Sequence, residues 1–459
     1  MGRWITRFWE NTHEGGLRRR DRRSGEYRAY VPDPLVGAAL VLSPGTEALA
    51  ARAEARVRAL GALPDMAGIA RFLLRSEAIA SSRIEGVAPS AHRVALAELA
   101  QQEEVRGLSE QARAVARNVT LVRAAVEELS GAQPVTADRL LALHRSLLPD
   151  SPEHHGIRST QNWVGGSSYH PLDADFVPPP PELVPDLVAD LLTYLNGATH
   201  APLIQAALVH AQFETIHPFA DGNGRVGRAL IHTVLTRRGL LAGMILPTSL
   251  VLSTLSGKYV EALSRFREAG DPGGPDAESH RPDAAKSDDP NGPSRPGGPG
   301  GPNEPGESDG GRDAWISFFL GAVVLACDQA ERISAELAGV REEWNESLRK
   351  WIAREGGGRA LRRDSAALQI LEGLPGAPVL TIATASRIYG VSRTAATRGL
   401  ETLRAAGILT TESIGAGRRA YTARAVLDTI TWAERRLAST RFDTRISAPT
   451  RAVPAGPAQ

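Results

Sequence analysis

The chain has 459 residues, of which 42% are hydrophobic and 23% charged, and its formal net charge is +1. Such values fit a soluble globular protein of two or three domains, and the near-neutral balance means that any basic patch is local. The single cysteine, Cys327, excludes an internal disulfide and a cysteine metal site, and its apolar setting reads as helix core.

In chain order, residues 1–43 form an N-terminal extension. Its first thirty residues are polar and arginine-rich, with the run Arg18-Arg19-Arg20-Asp21-Arg22-Arg23. This run reads as a solvated tail or as a nucleic-acid contact. Met1-Gly2-Arg3-Trp4 lacks a signal-peptide core, and no apolar run approaches the roughly 20 residues of a membrane span, so a cytoplasmic protein without a membrane partner is expected. Residues 44–130 are helical in pattern, with alanine and leucine recurring at helical spacing over 47–60, 69–84, 91–100 and 110–129. The next unit spans 131–269. Thr136 caps a helix over 140–148, breaks follow at Pro149 and Pro152, and 156–180 read as a short hairpin plus an extended segment. A strong helix from Leu203 to Thr215 and a second from about Gly224 to Thr236, capped by Gly239, flank a glycine-rich loop. Residues 270–312, dense in Pro, Gly, Asp and Ser, bury too little to offset the entropy of ordering and are expected to be a disordered insertion. Helical pattern resumes over 313–355. A smaller unit spans 360–435, and 447–459 form a disordered Pro/Ala tail.

The loop His217-Pro218-Phe219-Ala220-Asp221-Gly222-Asn223-Gly224-Arg225-Val226-Gly227-Arg228 carries the chemistry. Gly222 and Gly224 allow a sharp turn and a close approach to a ligand. The turn feeds a helix N-terminus, whose free N–H groups and dipole attract anions. Arg225 and Arg228, three apart in the first turn, add two cations, and the whole reads as a phosphate cradle. Asp221 in its midst makes sense as a holder of Mg²⁺. His217, entering from the preceding helix, suits general-base work on a hydroxyl.

At every specified position this segment resembles the Fic family signature, H-x-F-x-(D/E)-G-N-G-R-x-x-R. The resemblance implies a mostly α fold, a Fic helical core with a small β-hairpin flap, and a protein adenylyltransferase that moves AMP from ATP to a Ser, Thr or Tyr hydroxyl and releases pyrophosphate. His217 would be the base and Asp221 the Mg²⁺ holder. Gly222, Asn223 and Gly224 would cradle the phosphates, with Arg225 and Arg228 binding them, and Phe219 would anchor the loop in the core. Gly156-Ile157-Arg158, Trp163-Val164-Gly165-Gly166 and Phe176-Val177-Pro178-Pro179-Pro180 look like the family's flap, which aligns an extended stretch of target by strand addition. His144 reads as structural. The likeness covers roughly residues 27–350, with 270–312 as the departure.

Ser81-Ser82-Arg83-Ile84-Glu85-Gly86 alone is a helix end with a glycine cap. It also resembles the family's inhibitory motif, (S/T)-x-x-x-E-(G/N), through Ser81, Glu85 and Gly86. The resemblance implies that Glu85 pairs with Arg228 and competes for the cation that the γ-phosphate needs, giving low basal activity, or that Glu85 assists removal of AMP. The brake would act within one chain, with a homodimer partner as a further regulator.

Residues 364–430 read as a helix-turn-helix with a wing. The helices cover 366–371 and 381–389, and a third is capped by Ser392. The strands lie at 408–411 and 419–422. The pattern resembles the winged helices that follow many bacterial Fic domains. Arg393, Thr394, Thr397 and Arg398 would face a major groove, with Arg418 and Arg419 on the wing. The alternative is a protein-binding or dimerising unit. The competing reading of the whole chain is a DNA-binding regulator whose Fic part only senses a nucleotide. The target protein, which could be the chain itself, and the base of the nucleotide are not written in the motif.

Overall fold

A computed structural model describes residues 2–12, 18–63, 66–241, 243–268, 310–354, 361–415 and 417–438. The chain opens with an antiparallel pair, β1 (Arg3–Trp9) and β2 (Gly25–Val31), in register from Arg3 opposite Val31 to Trp9 opposite Gly25. The solvated tail expected here is thus corrected. On β2 the last three residues, Ala29, Tyr30 and Val31, are buried, while Arg3, Arg7 and Arg28 on the two strands and the arginines of the connection are exposed.

Four helices follow: α1 (Pro44–Gly61), α2 (Met66–Ile84), α3 (Ala91–Ala100) and α4 (Glu110–Glu127). Serines start three of them: Ser43, Ser90 and Ser109 each accept the N–H three residues on. Next come α5 (Ala137–Leu147), capped by Thr136, and α6 (Val184–Asn196). Between them the expected hairpin is reduced to one antiparallel bridge, Val164 to Phe176, because glycines and prolines interrupt any longer ladder.

The centre is α7 (Pro202–Ile216), on which every side chain from Leu203 to Ile216 is buried. A helix buried on all sides is a core helix, and its neighbours wrap it. It is followed by α8 (Asn223–Arg237), α9 (Thr248–Thr254) and α10 (Ser256–Glu268). The long α11 (Gly310–Arg354) packs along α1, α7, α9 and α10. It is continuous from Gly310, so residues 310–312 of the expected disordered insertion are helical, and the remainder of that insertion lies outside the described residues. The described residues include one helix, α11, long and apolar enough to span a bilayer, with mean hydropathy 1.3 over 18 residues. This corrects the expectation that no run comes near a span. Yet 61% of that window is buried in the protein, with Trp315, Phe319, Val323 and Cys327 inside, as befits a core helix.

The C-terminal unit runs α12 (Ala366–Gly373), β3 (Val379–Leu380), α13 (Ile382–Tyr389), α14 (Arg393–Ala405), β4 (Thr410–Gly415), β5 (Arg418–Thr422) and α15 (Arg424–Ala438). Its sheet has the order β3-β5-β4, all antiparallel. Thr381 and Ser392 cap α13 and α14. The unit is docked on the preceding helices. His92 meets Glu412 at 2.7 Å, Thr381 donates to Glu103 at 2.6 Å, and Arg83 on α2 pairs with buried Glu434 on α15 at 2.7 Å. The 447–459 tail lies outside the described residues.

Candidate active site

The site is built where α7 stops and α8 starts. His217 ends α7 in the left-handed conformation, φ 49°, the sole non-glycine residue with positive φ among the described residues. That turn swings the chain into residues 218–222, and Gly222, φ 82°, launches α8.

The loop is fastened from several sides. Phe219 is fully buried and stacks on His144 at 3.9 Å, while His144 Nε2 meets the Asp221 carbonyl at 2.9 Å. Asn223 closes the loop on itself: its Oδ1 accepts from Phe219 N and its Nδ2 donates to Phe219 O, both at 2.8 Å. Buried Arg158 donates to the carbonyls of His217 (2.9 Å), Ile216, Pro179 and Thr160 and so joins the loop to the flap. Carbonyls freed at the end of α7 thus find a partner indoors. Burial pushes the Arg158 guanidinium down to about 10.

The amides of Asn162 (2.9 Å) and Asn223 (3.2 Å) converge on His217 Nδ1 and leave Nε2 for a substrate. As placed, both amides aim N–H at Nδ1. Nε2 becomes the proton acceptor once Nδ1 carries the ring proton and Asn162 presents Oδ1, which otherwise has no partner. Burial, then the positive charges of Arg158 and Arg267, push the His217 imidazole down to about 3. A base must be neutral to act, and a lowered pKa keeps it so. The His217 ring is accordingly expected to stay neutral through pH 5. Ring ¹⁵N chemical shifts in a pH titration check this, and a midpoint near the ordinary 6.5 would refute it.

Asp221 is about half exposed. Its Oδ1 accepts from Gly222 N at 2.5 Å and faces Arg225 at 3.2 Å. Arg225 is buried, and its Nε has no partner. Among the described residues no group of three His, Cys, Asp or Glu could hold a metal. A lone carboxylate at the lip of an anion cradle still suits Mg²⁺, which keeps its waters and shares itself with phosphates.

Arg228 is 2% exposed and wholly committed. Its Nε donates to Ser81 Oγ and its Nη2 to Ser81 O, both at 2.9 Å, and Nη2 meets Glu85 Oε1 at 2.7 Å. Burial is the strongest single influence and opposes its charge, but Glu85, Tyr259 and Glu214 together outweigh it and hold the guanidinium above its usual range. The Glu85 carboxylate lies against the first turn of α8: a Cβ on Gly224 would come within 2.0 Å of Oε1. Gly86, φ 78°, turns the chain away just after. The helix bearing this carboxylate is bolted in place. Glu77, 1% exposed, accepts from Ser249 N and Oγ, Thr248 Oγ1 and His232 Nε2, and Asn118 donates to Ala78 O and Ser82 Oγ.

The motif residues are therefore brought together with Ser81, Glu85 and Gly86. Two partners were not anticipated. Glu214, one turn before His217, is raised to about 7 by burial, with Arg228 pulling it down and Glu85 pushing it up. Its Oε1 would collide with any Cβ at Gly227, which accounts for the glycine there. Arg267 on α10 lies 3.7 Å over the Phe176 ring and donates to Thr215 Oγ1. Glu214 was readable as an acid inside an apolar helix. Arg267 carried no local signal, because only the packing of α10 brings it near.

The C-terminal residues are placed on two surfaces. Arg393, Thr394 and Arg398 are exposed on α14 and Thr397 is half-buried, with its hydroxyl bound to Arg393 O. Arg418 and Arg419 are exposed on β5, but Arg418 reaches Glu104 O and Arg106 N donates to Ile414 O, so the turn between β4 and β5 rests on the segment before α4.

The sequence model of the Fic/DOC family matches residues 134–235. A probable protein adenylyltransferase of Aquifex aeolicus is 44% identical over 69 residues, 15% of this chain and 22% of that protein. Protein adenylyltransferase fic-1 of Caenorhabditis elegans is 32% identical over 138 residues, 29% of this chain and 25% of that protein. The chain thus spans about a quarter or less of the length of these curated relatives. Among solved structures, a Fic family protein from Desulfovibrio desulfuricans G20 aligns with 20% identity and a TM-score of 0.47, covering 83% of this chain and 96% of that one.

Proposed function

We propose that the protein transfers AMP from ATP to a hydroxyl of a protein and that Glu85 holds it in a state of low activity, a reading supported by the match of residues 134–235 to the Fic/DOC family model. The observation that carries the reading is the Glu85 carboxylate lying on Arg228 and against Gly224, a few residues from a neutral His217. That carboxylate takes the position of an anion in the cradle.

In the reaction His217 Nε2 takes the proton of the target hydroxyl as its oxygen attacks the α-phosphorus. The bond from that phosphorus to the bridging oxygen breaks, and pyrophosphate leaves. The N–H groups at the start of α8, with Arg225 and Arg228, hold the phosphates and offset charge, so the barrier falls by alignment and preorganised electrostatics. Mg²⁺, when bound at Asp221, would add charge neutralisation on the phosphates. Arg158, Asn162 and Asn223 fix the angle at which the imidazole is presented. The bridge at Val164 offers the start of a strand pairing for an extended target. An ATP-dependent reaction fits the cytoplasmic location expected from the sequence.

The test is to incubate the full chain with Mg²⁺, lysate and ATP labelled at either the α- or the γ-phosphate. Protein-bound label from α-labelled ATP alone is the expected result. Label from the γ position, or none from either even in the full chain carrying Glu85→Gly, would overturn the assignment.

A further inference from the structure

A cavity of about 570 Å³ lies away from the loop at His217, between α2, α3, α4 and the C-terminal unit. Its size falls in the range of small-molecule sites. Leu74 and Met244 contribute to an apolar part of the wall. Four guanidinium groups, of Arg71, Arg75, Arg123 and Arg387, face two carboxylates, of Glu98 and Glu127. One of those carboxylates is already spent, since Glu98 accepts from Arg75 Nε at 2.5 Å. Arg71 and Arg123 have no ion pair among the described residues.

Arg75 supplies the second observation. It is only 5% exposed, it reaches across to the Gly376 carbonyl of the C-terminal unit at 3.2 Å, and its Nη1 has no hydrogen-bond partner. A buried guanidinium nitrogen left without an acceptor is costly and implies a missing one. An excess of positive charge around a partly apolar chamber recognises a molecule with an anionic head and an apolar body.

We propose that this cavity binds a small organic anion, a carboxylate or phosphate ester with an apolar body, independently of the nucleotide site. The ligand would sit between α2, which leads into Glu85, and the unit that grips that helix through Arg83 and Glu434.

The test uses the full-length chain and anilinonaphthalene sulfonate, an aromatic anion of the right chemistry, in a fluorescence titration that needs no catalytic activity. A saturable site of one equivalent is expected. Arg71→Glu/Arg123→Glu, both at exposed positions, reverses the charge without touching the core, and Ala70→Trp fills the chamber without changing its charge. Both variants are expected to weaken the saturable phase at least tenfold, while Arg393→Glu, an exposed residue outside the cavity lining, leaves it unchanged. No saturable phase in the wild type, or wild-type affinity retained in either cavity variant, overturns the proposal.

Discussion

Glu85→Gly is expected to raise self-labelling from α-labelled ATP on the order of 10²-fold over wild type, the factor that about an ångström of phosphate misplacement costs. In the resting geometry the Arg228 guanidinium, 2% exposed, spends Nη2 on Glu85 and cannot turn to an incoming phosphate without leaving a carboxylate beside it. Repulsion between that carboxylate and a polyphosphate acts over the same few ångströms. Removing the side chain leaves Arg228 held through Ser81 Oγ and O, so the cation stays in place and gains a vacant side. Glycine is tolerated where α2 ends, immediately before a residue of positive φ. Initial rates of label incorporation at fixed ATP check this. A variant no faster than wild type removes the brake from the account and leaves the pair as a structural contact.

The second large effect runs the other way. In the Glu85→Gly background, His217→Ala is expected to cost on the order of 10² to 10⁴ in rate, the range assigned to a positioned general base. The ring is neutral, and with Nδ1 carrying the ring proton towards Asn162 Oδ1 its Nε2 is open, so no other described side chain at the loop is equally prepared to take the proton. A control is needed because His217 sits in the left-handed region, where alanine is strained. His217→Asn suits that backbone and removes the base, so the two variants should be equally slow. Activity within tenfold of the parent in the asparagine variant would assign the proton to water or substrate and deny the histidine its role.

Much of this arrangement was legible in the chain because its causes are local. The helices at 202–216 and 223–237 follow from apolar periodicity and a glycine turn, and the phosphate cradle follows from Gly222, Gly224 and two arginines in a first helical turn. The pairing of Glu85 with Arg228, 143 residues apart, came through a motif resemblance and not through spacing. What stayed hidden depends on distant packing. The β1–β2 pair was masked by exposed arginines on both strands and in their connection. Its anchorage runs through contacts far along the chain, such as Trp9 against Trp163 and Arg23 on Asp173. Asn162 and Arg267 gain meaning only when the flap and α10 converge on the end of α7. The strand at 418–422 was read nearly in place and that at 410–415 two to four residues early, whereas β3, two residues long, offers no periodicity to read.

The buried anchor at Glu77 has a bearing on how fast the proposed brake can release. A helix tied by one carboxylate to Ser249, Thr248 and His232 in a dry interior leaves its seat only with the unfolding of its neighbours, a slow event. Glu85 stands two turns further on, beyond the last bolted residues and half in solvent. Side chains so placed change rotamer in picoseconds to nanoseconds. Control therefore resides in the population of a rotamer above a stationary backbone, and any ligand that prefers the withdrawn carboxylate shifts that population in proportion to its preference alone.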